Sequence, residues 1–167
     1  MSFLFWNVRR LGNQRTVHEL ENLIWAQDPS ALFLAETWAG EARLINLCTE
    51  LGFDHHWITP KSNKLGCLAL FWKNPLMVEV VSSSPNHIDA VIGGSLENKW
   101  RLTGIYGCAD PAKKRDTWAL LRQLHRNLSL PWLCAGDFNE ILWSYEKCGL
   151  SPRSESPMKD FRDAFFG

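Results

Sequence analysis

Residues 66–106 read GCLALFWKNPLMVEVVSSSPNHIDAVIGGSLENKWRLTGIY. Four apolar runs stand in this stretch, at roughly 66–73, 76–83, 87–93 and 98–106. The breaks between them are Asn74-Pro75, Ser84-Pro85 and Gly93-Gly94, pairs that favour turns over continued strand or helix. A fifth run, at about 53–58, precedes them and ends near Pro60. No crossover helix separates these five runs. Parallel neighbours would need connections of a dozen or more residues, so a doubly wound single sheet fits poorly and hairpins fit well.

Working outward, the flanks carry helices. Ser2 to Val8 reads as a strand, and Asn13 is placed to cap a helix running to about Gln27. Val17, Leu20 and Ile24 share one face of that helix, and Asp28-Pro29 stops it. Ala31 to Ala35 is a short continuous apolar run, the pattern of a strand buried on both faces. Leu44, Leu47, Cys48 and Leu51 mark a second helix, ended by Gly52. Beyond the hairpins, Asp110-Pro111 is a helix start, with Trp118, Leu121, Leu124 and Leu128 as its apolar stripe. Pro131 ends that segment, Trp132 to Ala135 is another apolar strand, and Ser156-Pro157 opens a last helix bearing Met158, Phe161 and Phe165. The expected architecture is α/β, two sheets packed face to face with helices outside. No repeat, low-complexity segment or long linker divides residues 1–167, so one domain is expected.

Composition narrows the function classes. Hydrophobic residues make up 46% and charged residues 22%, a globular balance. No apolar run reaches the length of a membrane span, and the N-terminus lacks the pattern of a secretory signal. Five cysteines, none in a C-x-x-C pair, suggest free thiols and an intracellular location, nucleus or cytoplasm, rather than a disulfide framework or zinc ribbon. The 18 basic and 18 acidic residues cancel, so any nucleic-acid contact must come from local patches. Arg9-Arg10 with Arg15, and Lys113-Lys114-Arg115, are the candidates; the alternative for both is an ordinary solvated surface. Of the nine tryptophans, most are expected to pack in the core.

Five polar residues stand at the carboxyl ends of apolar runs: Asn7, Glu36, Tyr106, Asp137 and Asn139. Sites assemble at strand ends in open α/β folds, a rule extended here to a layered fold. On extended backbone, Asp137 and Asn139 point to one side and Phe138 to the other. Glu36 with an Asn neighbour offers hard oxygen ligands for Mg²⁺ or Mn²⁺. An ionised Asp137 would orient and deprotonate a water, and Asn139 would donate to a phosphoryl oxygen. Each residue taken singly has a local alternative: a turn cap, a loop start, an edge aromatic.

These residues sit in motifs that resemble the endonuclease/exonuclease/phosphatase superfamily. They are Trp6-Asn7-Val8-Arg9, Phe33-Leu34-Ala35-Glu36-Thr37, Leu68 to Lys73, Trp100 to Gly107, and Pro131 to Leu142. More closely, the chain is similar to the endonuclease domain of plant LINE-type non-LTR retrotransposons. The resemblance implies a four-layered α/β sandwich of two packed mixed sheets flanked by helices. It implies Asn7 and Glu36 at a Mg²⁺ (or Mn²⁺) ion, Tyr106 near the scissile phosphate, Asp137 positioning the water and Asn139 as a transition-state donor. It implies DNA as partner, nicked to leave a 3′-hydroxyl, with Arg9 and Arg115 as candidate substrate contacts.

Three departures from the family pattern stand out. Arg10 occupies a position usually held by glycine, where a bulky cation would crowd the metal loop. Two glycine pairs read Gly66-Cys67 and Gly149-Leu150. The closing strands and terminal Ser-Asp-His motif of the family are absent from these 167 residues. A C-terminally truncated member, weak or inactive in catalysis, is therefore expected. The alternatives are a non-catalytic remnant or binding module, and a phosphatase acting on a small phosphate ester.

Overall fold

The computed structural model describes residues 1–60, 66–126, 129–149 and 151–167; Leu128 and Leu150 lie outside them. The chain forms two compact units, residues 1–105 with 130–136 and residues 106–129 with 137–167.

Two four-stranded sheets build the first unit. One contains β1 (Phe3–Asn7), β2 (Ala31–Ala35), β3 (His55–Ile58) and β4 (Ala69–Trp72), in the order β1-β2-β4-β3. β1 and β2 are parallel, while β4 is antiparallel to both β2 and β3. The other contains β5 (Val78–Ser84), β6 (His87–Ile92), β7 (Trp100–Tyr106) and β8 (Trp132–Asp137), side by side in that order. β5, β6 and β7 are antiparallel hairpin strands. The Arg101 N–H donates to Pro131 O and the Gly107 N–H to Asp137 O, so partners advance together and β8 runs parallel to β7. Both sheets are thus mixed, and the fold is the expected α/β sandwich.

All five residues of β2 are buried, and the two-residue period shows why. Leu32 and Leu34 enter the core with Leu20 and Ile24 of α1 (Gln14–Gln27) and Leu44 and Leu47 of α2 (Glu41–Glu50). Each of these leucines contributes roughly 2 kcal/mol by leaving water. Phe33 points the other way. Its ring lies where a side chain on Gly104 of β7 would stand, so glycine lets the sheets approach. Phe5 packs on Phe33 at 5.7 Å and Phe3 meets Trp100 edge-on at 5.2 Å, along the same seam. Asn13 caps α1 by accepting from the Arg15 N–H, and Asp28 ends it in the left-handed region.

In the second sheet a buried polar network replaces hydrocarbon. Arg101 grips Asp89 through Nε and Nη2 at 2.8 Å, and Thr103 donates to the same carboxylate at 2.6 Å. Trp132 Nε1 donates to Thr103 Oγ1. β8 departs from the look of its sequence. The apolar run WLCA forms an edge strand with Leu133 44% exposed, and it extends two residues further, to Asp137.

The second unit centres on α3 (Lys114–Arg126) and α4 (Glu155–Phe166). Asp110 caps a 3₁₀ turn over Pro111–Lys113 that leads into α3. Trp118 stacks on Phe161 at 4.7 Å, and Leu121, Leu124, Met158 and Ala164 are buried with them. α4 begins earlier than expected, after Ser154, so Pro157 falls inside its first turn, where no intrahelical N–H bond is lost.

The expectation for the tryptophans is corrected. Trp118 is buried, but Trp25, Trp38, Trp57 and Trp143 are exposed, Trp25 by 88%. Phase along the element is the reason: Trp25 follows Ile24, which takes the inward position on α1. Among the described residues no helix is long and apolar enough to cross a membrane, and all five cysteines are free.

Candidate active-site residues

Parallel pairing of β1 with β2 sets Asn7 opposite Ala35, and this register brings Glu36 to the same strand end. Asn7 Nδ2 donates to Glu36 Oε1 at 2.9 Å. The loops beyond continue the pairing. The Arg10 N–H donates to Glu36 O and the Leu11 N–H to Thr37 O, both at 2.9 Å. Arg9, exposed, donates its own N–H to Asn7 Oδ1 at 3.2 Å. Four non-glycine residues here have left-handed backbones: Arg9 (φ 43°), Arg10 (95°), Glu36 (50°) and Trp38 (52°). Such conformations are costly for residues with a Cβ and persist only where surrounding contacts hold them. Behind it, Gly66 (φ 87°) leaves no space for a Cβ, which would stand 2.6 Å from Thr37 Oγ1 and from Trp38 N. Of the altered pair Gly66-Cys67, the glycine that contact requires is therefore present.

The Arg10 guanidinium lies over the Trp38 ring, 5.7 Å from the centroid. Arg10 itself sits at φ 95°, a conformation that glycine adopts without steric cost.

One carboxylate and one carboxamide are hard oxygen donors. Among the described residues no three His, Cys, Asp or Glu side chains group closely enough to form a metal cage. The donor set at Asn7 and Glu36 fits an ion that keeps several waters and takes up substrate oxygens, as Mg²⁺ does. It does not fit a structural zinc site.

Tyr106, Asp137 and Asn139 belong to the second unit. Tyr106 ends β7 and is 7% exposed. Asp137 and Asn139 line one cleft of about 420 Å³ with Pro111, Lys114, Lys147 and Arg153. They share it for a reason other than strand alternation. β8 ends at Asp137, and Asn139 is left-handed at φ 52°. The Asn139 N–H folds back onto Asp137 Oδ1 at 2.9 Å, and Asn139 Nδ2 donates to Gly107 O at 2.8 Å. Phe138 does point away, packing 5.1 Å from Phe161 and 5.9 Å from Phe165.

The sequence reading missed Glu140, whose side chain is 1% exposed. Lys114 Nζ donates to it at 2.7 Å, and Arg153 donates from Nε and Nη2 at 2.8 and 2.6 Å. Burial alone would raise the Glu140 pKa, but the hydrogen bonds from Arg153 and Lys114 outweigh it and hold the value at about 2. The basic run Lys113-Lys114-Arg115 therefore divides. Lys114 is buried and turned onto Glu140, whereas Lys113 and Arg115 remain exposed. A helical wheel holds the one available signal: Lys114 lies three and four residues before the buried Thr117 and Trp118.

The chain belongs to the endonuclease/exonuclease/phosphatase family, whose model matches residues 4–167. No curated protein sequence matches it. Among solved structures, the AP endonuclease LMAP from Leishmania major shares the fold with a TM-score of 0.66 at 14% identity, over 98% of this chain and 64% of that one. The endonuclease domain of TRAS1, a telomere-specific non-LTR retrotransposon, gives 0.62 at 12% identity, over 85% and 63%. The human Nocturnin catalytic domain, with bound sulfate, gives 0.59 at 18% identity, over 83% and 64%. The chain thus spans just under two thirds of the length of these structures.

Proposed function

We propose that this protein is a metal-dependent phosphodiesterase domain of LINE-type retrotransposon origin that nicks DNA. The observation that carries the reading is the hydrogen-bonded Asn7–Glu36 pair, held at aligned strand ends on a left-handed loop. Asn7 and Glu36 would hold Mg²⁺ or Mn²⁺, which supplies charge stabilisation for a phosphoryl group under attack. Asp137 accepts a proton from the attacking water, and its hydrogen bond to the Asn139 N–H orients the carboxylate. Asn139 donates from its carboxamide to a phosphoryl oxygen. Tyr106 lies nearer to substrate than to bulk solvent in this reading. Arg9 and Arg115, both exposed, contact the DNA backbone through their guanidinium groups. Motifs such as WRLTGIYG and LALFWK support the retroelement origin.

Nicking of supercoiled plasmid with Mg²⁺ tests the reading. Glu36→Ala and Asp137→Asn should each lower the rate by about 10² or more. Nicking that persists undiminished in both variants overturns the residue assignment. No nicking by any form, with a cooperative melt retained, favours a folded binding module instead. The neutral net charge is the one observation that favours a small phosphate ester as substrate, and p-nitrophenyl phosphate hydrolysis without nicking would select that reading.

A further inference from the structure

Asn139 leaves β8 in a left-handed conformation that non-glycine residues adopt seldom, so its turn needs outside support. Two of its hydrogen bonds stay close to the strand ends: N–H to Asp137 and Nδ2 to Gly107 O. The third comes from a helix. Lys114 Nζ donates to the Asn139 main-chain carbonyl at 2.5 Å, a charge-assisted bond across 25 residues of sequence. The side chain of Lys114 is only 8% exposed, and a buried ammonium is unfavourable unless paired. Glu140 pairs it. Neutralising Glu140 does not by itself call for Lys114, because Arg153 already meets both carboxylate oxygens. What Lys114 adds is the grip on Asn139.

We propose that Lys114 is a positioning residue: anchored on Glu140, its ammonium holds the Asn139 carbonyl and so sets the aim of the Asn139 carboxamide in the cleft both line. The inference rests on the reading above, in which Asn139 acts in phosphodiester cleavage. Its chemistry is indirect. Lys114 faces the cleft, yet two of its three N–H donors are taken by protein oxygens and its charge is paired with Glu140, so substrate affinity should depend on it little.

Lys114→Met tests this, since it keeps the length of the stem and leaves Glu140 paired with Arg153. The first measurement needs no activity. In the ¹⁵N-labelled protein, the Asn139 side-chain NH₂ pair is identified by its loss in Asn139→Ala. It should be dispersed and slow to exchange in the wild type, and shift toward free-amide positions in Lys114→Met. The second measurement is plasmid nicking, where Lys114→Met should lower kcat about 10-fold or more, the effect of a displaced group, with KM within about 3-fold. Added to Asn139→Ala, it should lower kcat no further. Lys159→Met, a loss of charge on the exposed face of α4, should change neither readout. An unmoved Asn139 amide pair in a folded Lys114→Met protein overturns the inference. So does a wild-type kcat in that variant. If the wild type does not nick at all, the functional reading fails, and the amide measurement still decides whether Lys114 sets Asn139.

Discussion

Arg10 is held at φ 95°, a region where a Cβ is penalised and glycine is at ease. Two replacements isolate that penalty, because Arg10→Ala and Arg10→Gly both remove the guanidinium from above Trp38. At an ordinary position alanine is the more stabilising of the pair. Here glycine should be the more stable by about 1 kcal/mol, measured as the difference in urea-unfolding free energy. An alanine variant equal to or better than glycine would show that the loop relaxes to negative φ. The polar strand-end residues were legible because residue type and position converge on them. Their conformations were not. Nothing in GDFN distinguishes an extended Asn139 from a left-handed one, and both place its side chain with Asp137. Glu140 escaped because a carboxylate beside a turn reads as solvated. Only the fold reveals that Lys114 and Arg153, 26 residues before it and 13 after, close over it.

At the scale of elements, the two sheets of the first unit meet where Phe33 lies against Gly104. A methyl at residue 104 would enter the Phe33 ring, and the ring belongs to β2, which is buried on both faces. Gly104→Ala should therefore cost about 1–3 kcal/mol, the usual range for overpacking, read as a lowered denaturation midpoint at unchanged m-value. Gly104→Ala combined with Phe33→Leu should recover part of the loss, a coupling expected only if the two residues touch. The hairpins β5–β6 and β6–β7 behind this interface were legible from the turn pairs Ser84-Pro85 and Gly93-Gly94, whereas Asn74-Pro75, which looks like another such turn, instead carries the chain from β4 in one sheet to β5 in the other. Which strands neighbour which was not legible. β2 pairs with β4 rather than with its nearer successor β3, and sequence patterns hold no register between strands so far apart. The exposed tryptophans show the same limit, because composition counts apolar bodies and only phase along the element places them.

For the whole molecule, acid is the informative perturbation. The stability change on acidification comes from groups whose pKa differs between the folded and unfolded chain: shifted carboxylates, and His87, whose pKa burial lowers and which is common to the wild type and the variant below. Asp28 and Asp163 are lowered by their lysine partners, Lys73 and Lys159, but both are exposed and such pairs contribute little. Glu140 is different: its side chain is covered and its pKa is held at about 2, against an ordinary 4.5. A depressed carboxylate stabilises the fold fully above its unfolded value. That contribution is lost as pH falls from the unfolded value through the folded one. Glu140→Gln should accordingly be less stable than the wild type at pH 7, with Lys114 left buried beside a neutral amide. The gap between the two should narrow as pH falls from about 5 toward 2, where the wild-type carboxyl becomes neutral as well. Urea midpoints across that range measure it. A gap of constant size down to pH 2.5 would mean that Glu140 acts through shape rather than charge, and that its ion pairs with Lys114 and Arg153 contribute nothing to stability.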